Sequence, residues 1–85
     1  MDRTVKCLLL KNNQVLVSEI VEVGSELGEP DCKLINPFLL NLSSQELTTW
    51  LDFTDQNEFM IHSDSIMTIA DPNEDVLAKY SEMIA

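Results

Sequence analysis

Ile61-His62-Ser63-Asp64-Ser65-Ile66-Met67-Thr68-Ile69 sets one isoleucine, four polar residues and then two isoleucines three positions apart. Short serine and aspartate side chains bond to nearby backbone groups and so favour a tight turn over a continuing helix or strand. Isoleucine and threonine are stiff at Cβ and sit well on a pleated surface. The stretch therefore reads as strand, turn, strand, with the last strand over Ile66 to Ile69.

Working back from it, Phe59-Met60-Ile61 is strand material, reached through the polar run Asp55-Gln56-Asn57-Glu58, which either turns the chain or bulges one long strand. Leu47 to Phe53, with Trp50, Leu51 and Phe53, is strand material upstream of that run. Asn41 to Glu46 is polar and loop-like. Cys32 to Leu40 reads as a third strand interrupted by Pro37, which donates no ladder bond and belongs at an edge or a bulge. Gly24 to Pro30 holds both glycines and is the clearest loop. Val5 to Leu10 and Gln14 to Val23 form a hairpin around Asn12-Asn13, because asparagine tolerates the left-handed conformation. Val15 and Val17 alternate on one phase, Ile20 sits on the other, and Val21 and Val23 return to the first. That shift near Ser18-Glu19 predicts a bulge or a strong bend, which a small barrel needs in order to close.

Downstream the pattern changes period. Asp71-Pro72-Asn73-Glu74 matches a capping box, with Asp71 as the cap, Pro72 at the first helical position and Glu74 at the third. Val76, Leu77, Tyr80, Met83 and Ile84 then follow helical spacing on one face. A helix over about residues 72–84 is too short to be stable alone, so its stripe must dock on its own sheet or on a neighbouring copy. Asp71, Glu74 and Asp75 are explained by capping and the helix dipole.

This order, with an Ile-x-x-Ile after a tight polar turn, resembles Sm-like proteins. The resemblance runs from about Val5 to Ile69 and implies a mainly β fold. The expected architecture is a small, strongly bent, five-stranded antiparallel Sm-like (SH3-like) barrel over about residues 5–70, with a C-terminal α-helix, in a single domain spanning 1–85. In that family the turn is usually Arg-Gly-Asn. Here His62, Ser63 and Asp64 stand in those places. Of the family's first signature, Asp31 and Asn36 are the nearest candidates, one residue further apart than usual, and Ser18 replaces the glycine of the bent strand. Sm-like proteins of cyanophage and marine origin, mostly of unassigned role, are the more similar group, since this chain starts in a strand and ends in a helix. The resemblance implies a homo-oligomeric ring of roughly five to seven subunits, joined through exposed sheet edges.

It also implies where short single-stranded RNA would be contacted: Asn36, His62 and Asp64. A partly protonated His62 can stack on or bond to a base, whereas its plain reading is a polar strand-end residue. Asn36 offers an amide to a base edge, against a role in satisfying loop backbone groups. Asp64 only accepts hydrogen bonds and repels phosphate, which favours a turn-capping role. The charge points the same way. Five basic against fifteen acidic residues give −10, and Arg3, Lys6, Lys11, Lys33 and Lys79 form no cluster with which to displace counterions.

Other chemistry is sparse. Cys7 and Cys32 lie far apart among apolar residues and read as inert strand thiols. Phe38, Trp50, Phe53 and Phe59 read as core aromatics rather than stacking platforms. Asp52, Asp55, Asn57 and Glu58 hint at calcium but lack the glycine and distal glutamate of a binding loop, so they read as a solvated turn. Asn41-Leu42-Ser43 fits a glycosylation acceptor by coincidence. No nucleophile motif, zinc motif or phosphate loop occurs, and one histidine without a nearby thiol completes no nucleophile system. The sequence thus predicts a non-enzyme without cofactor or metal, cytoplasmic (the host's cytoplasm for a phage protein) and not membrane-bound. Its first expected role is a ring-forming protein-interaction or assembly component. The second is RNA binding at the ring pore, and the third a small acidic barrel of another SH3- or OB-like class within a larger machine.

Overall fold

Among the described residues, six strands and one helix follow each other along the chain: β1 (Val5–Leu10), β2 (Val15–Glu22), β3 (Cys32–Leu40), β4 (Leu47–Thr49), β5 (Glu58–Ile61), β6 (Ile66–Ala70) and α1 (Glu74–Ile84), with a 3₁₀ turn, Ser63–Ser65, between β5 and β6. The computed structural model describes residues 5–24, 26–51 and 54–84; the expectations placed on Arg3, Asp52 and Phe53 lie outside them. All strand pairs are antiparallel. The sheet runs β4-β3-β2-β1-β6, and β5 pairs with β3 as well. The fold is therefore mainly β with a C-terminal helix.

Two expectations need correction. The sheet has six strands rather than five, and it is an open sheet rather than a closed barrel. The extra strand arises because the stretch from Leu47 to Ile61 does not run through. It ends as strand at Thr49 and Leu51 takes φ +56°, which turns the chain out of the ladder. Opposite the interruption, Asn36 takes φ +54° and Pro37 has no N–H to donate, so β3 cannot hold a continuous partner. β4 then pairs with Phe38–Leu40 and β5 with Cys32–Ile35, on the same edge of β3.

β2 breaks at the same level. Val17 pairs with Phe38 and Glu19 with Ile35, which leaves Ser18 opposite Asn36 and Pro37. This irregularity is where the valine phase shift predicts it. Together, Ser18, Asn36–Pro37 and the β4–β5 interruption make a crease across three strands. On one side lie Val15–Val17, Phe38–Leu40, β4 and, through β1, β6. On the other lie Glu19–Glu22, Cys32–Ile35 and β5.

Alternation along the strands builds two cores. Leu8, Leu10, Leu16 and Leu34 are buried on one face, packed by Ile20, Leu39, Trp50, Ile61 and Ile66. The opposite face buries Val17 and Leu47 under Val76 and Tyr80 of α1, with Val5, Cys7, Phe38, Leu40 and Ile84 around them. Each fully buried aliphatic side chain contributes about 1.5–3 kcal/mol. The helix thus docks on its own sheet, through the i, i+4, i+8 stripe Val76, Tyr80, Ile84. Leu77 and Met83, expected on the same face, are 41% and 46% exposed at its flanks.

The helix also starts later than expected. Asn73 Oδ1 accepts from the Val76 N–H at 2.9 Å, so Asn73 is the cap and Glu74 the first helical residue. Asp71, expected to cap, instead forms an ion pair with Lys6 on β1. Pro72 stands before the cap rather than after it.

Candidate functional site

Among the described residues, β5 pairs only with β3 and β6 only with β1, so each leaves one side of its backbone unpaired, as β4 does beside β5. The β5 and β6 edges are joined by the short turn Ser63–Ser65. Near them the sheet exposes apolar side chains: Met60 on β5 is 48% exposed, and Met67 and Ile69 on β6 are 60% and 52% exposed. Alongside β6 runs a groove of about 450 Å³, lined by Ile20, Cys32, Ile66, Met67 and Ile69, together with Lys6, Glu22, Ser63 and Thr68.

The turn itself is fastened by Asp31. The carboxylate accepts from the Ser63 N–H at 2.7 Å and from the Ser63 hydroxyl at 2.8 Å. These bonds, the backbone one first, hold its carboxyl below the ordinary carboxylate range. The arrangement follows from register: Cys32 pairs with Ile61, so the residue before one faces the residues after the other. The sequence reading likened Asp31 to a family aspartate and missed its partner, which only the β3–β5 pairing reveals. Ser63 donates to Asp31 and not to His62, so the three side chains form no relay.

Of the residues expected to contact RNA, His62 and Asp64 are exposed and share a depression of about 390 Å³ with Asp31, Glu26 and Glu29 from the β2–β3 loop. Four carboxylates against one imidazole make this an unfavourable seat for a phosphate backbone. Asn36 lies elsewhere. Its N–H donates to the Asn57 carbonyl at 2.7 Å, and its Oδ1 accepts from the Asn57 amide at 3.3 Å. It sits at the far end of the β3–β5 ladder from His62, so the structure does not bring the two into one site. Its side chain bonds to the Asn57 side chain rather than to a loop backbone group, and its main-chain N–H closes the start of the β3–β5 ladder.

The remaining candidates fall into structural places. Burial pushes the thiols of Cys7 and Cys32 up, Asp71 adding to the first and Asp31 and Glu22 to the second, and both are free. Thiols held protonated are poor nucleophiles. Phe38 meets Tyr80 edge-on at 5.7 Å, and Trp50 meets Phe59 edge-on at 5.6 Å. The Trp50 indole N–H points at Gln14 Oε1, 3.4 Å away. Asn41 Oδ1 accepts from the Ser43 and Ser44 N–H groups and so caps its own loop. Among the described residues, no three His, Cys, Asp or Glu side chains gather where they would hold a metal ion. None of the described helices is long and apolar enough to cross a membrane.

No curated protein matches the chain. The profile of a family of unknown function, DUF6561, matches residues 3–85, and the chain belongs to that family.

Proposed function

We propose that this chain is a non-catalytic, Sm-like module that assembles with copies of itself edge to edge and acts as a protein-interaction or assembly component. One observation carries the reading: among the described residues the open sheet is bounded by β6 on one side and by β4 and β5 on the other, and of these β5 and β6 bear exposed large apolar side chains. Unpaired edges of this kind invite a partner strand. Because the two edges differ, the contact is heterologous, and a heterologous contact that closes on itself gives a ring. The Sm-like part of the reading rests on the order of elements along the chain, taking β4 and β5 as two pieces of one interrupted strand. Two free, protonated thiols fit a reducing cytoplasm, and they leave exposed His62 without a nucleophile to activate. Binding of RNA at a pore is the weaker reading, since Asn36 and His62 stand apart and the turn is ringed by acids.

Light scattering at tens of micromolar protein tests this. The expected mass is a whole multiple of 9.6 kDa, reduced to a single chain by Ile69→Lys or Met60→Lys, each of which puts a charge on one edge. A wild-type monomer at all concentrations sinks the proposal. Tight binding of a short RNA that Asn36→Ala and His62→Ala both abolish would revive the pore reading.

A further inference from the structure

Among the described residues, Tyr80 is the largest fully buried side chain, and Ser18 is the only polar residue buried with it. Both hydroxyls sit at the crease. Tyr80 OH donates to the Ile35 carbonyl at 3.1 Å and accepts from the Glu19 N–H at 3.3 Å. It therefore bridges the two backbone groups that face each other at the pair Glu19–Ile35. Ser18 Oγ lies 3.1 Å from the same Ile35 carbonyl and 2.8 Å from that of Glu19. Two hydroxyls, one from the bulge and one from the terminal helix, thus converge on the carbonyl where β3 breaks.

The position of the crease gives these bonds a consequence. β6 is anchored through β1 to the helix-covered half, at Leu8–Ile69 and Leu10–Ile66. β5 is anchored through β3 to the other half, at Cys32–Ile61 and Ile35–Glu58. The angle at the crease therefore sets the gap between the two free edges and the width of the groove that Ile20 and Cys32 share with Ile66 and Ile69. Hydroxyls of fully buried residues that are aimed at backbone groups fix geometry, because those hydroxyls have no water to turn to; Tyr80 and Ser18 are both 0% exposed.

We infer that α1 is a latch: the Tyr80 hydroxyl, with Ser18, holds the crease at one angle and so fixes the opening between β5 and β6. The inference concerns the edges used in the proposed assembly but not their pairing, and a single chain suffices to test it. Spin labels are placed through Met60→Cys and Ile69→Cys in a chain carrying Cys7→Ala and Cys32→Ala, diluted into excess unlabelled protein so that only distances within one chain are read. With Tyr80 intact, a single narrow distance is expected. Tyr80→Phe keeps the ring and loses the hydroxyl; it should at least double the width of the distribution, and Ser18→Ala added to it should widen it further. Exchange of the Glu19 amide should quicken about tenfold. Val76→Ala is the control, since it loosens helix docking and leaves both hydroxyls in place; it should lower the melting temperature without moving the distance. An unchanged distribution in the Tyr80→Phe chain overturns the latch, as does a Val76→Ala chain that broadens as much. A wild-type monomer would end the assembly proposal and leave this measurement as informative as before.

Discussion

The two sides of the crease are built from the same strands and differ in what covers them. On the helix side, Val17 and Leu47 face Val76 and Tyr80, while Leu8, Leu10 and Leu16 close the opposite face, so β1 and β2 are buried from both directions. On the other side Leu34 and Cys32 are buried on one face only, and Val21 and Met60 are 46% and 48% exposed on the other. The first side resembles the interior of a larger protein. The second resembles half of an interface. A chain this short buries a modest share of its surface, and here that share is concentrated under the helix, which frees the β5 edge and the turn after it for contacts. Burial is thus concentrated under the helix, while exposed apolar surface lies on the uncovered half and along the outer strand β6.

Deleting side chains of similar reach from the two halves should give very unequal results. A domain of this size is stable by about 4–13 kcal/mol, taking roughly 0.05–0.15 kcal/mol per residue. Tyr80→Ala empties the centre of the roof and strips the Glu19 and Ile35 backbone groups of a partner; about 3–5 kcal/mol should be lost, a large share of the total. Met60→Ala, on the exposed face of β5, should stay within about 0.5 kcal/mol. Urea titrations of both chains, run where they are monomeric, check this. A Met60 effect comparable with that of Tyr80 would mean that the open half is covered in solution.

A smaller contrast separates Asn73 from Asp71, two residues that could each have capped the helix. Asn73→Ala removes the bond to the Val76 N–H and should lower stability by about 1 kcal/mol. Asp71→Ala removes an exposed ion pair with Lys6 and should cost less, about 0–1 kcal/mol, with most of that vanishing in high salt. Thermal melts at low and high ionic strength distinguish them. The reverse order would return the cap to Asp71.

That pair also shows what could be read before folding. The hairpin turn was legible because Asn13 adopts φ +69°, a conformation asparagine tolerates by its own chemistry. The bulge at Ser18 was legible because a phase shift in a valine-rich strand can be seen locally. The cap was not: Asp71 and Asn73 flank Pro72 equally well, and the frame is chosen by which start lets Val76 and Tyr80 meet Val17 and Phe38 across the sheet. The break of β4 from β5 was hidden for a similar reason. Pro37 announced an interruption in β3, but its effect falls on the partner side, where β4 ends at Thr49, twelve positions further along the chain. The separation of Asn36 from His62, and the fastening of Ser63 by Asp31, both depend on the β3–β5 register. Residues that share a signature in sequence need not share a place in space.

That fastening yields the mildest prediction and the one confined to the open half. Asp31 is held below its ordinary range by the Ser63 N–H and hydroxyl. A carboxyl whose folded value is depressed contributes its stabilisation above the unfolded value, about 3.9 for aspartate, and loses it as pH falls through the lower folded value. Between neutral pH and about pH 5 the turn should therefore be unchanged. Below pH 4 the Ser63 amide resonance should titrate, with an apparent midpoint beneath that of an ordinary aspartate, and its exchange protection should fall. Asp31→Asn should abolish the titration while leaving the Val76 amide, in the first turn of the helix, untouched. Two-dimensional NMR followed from pH 6 to pH 3 reads both sites in one sample. Simultaneous loss of the Ser63 and Val76 signals would mean that acid unfolds the whole sheet at once, and that the two sides of the crease are not separable in stability. Loss at Ser63 first would show that the turn between the free edges can open while the roofed half stays intact, as a sheet with one covered and one uncovered side requires.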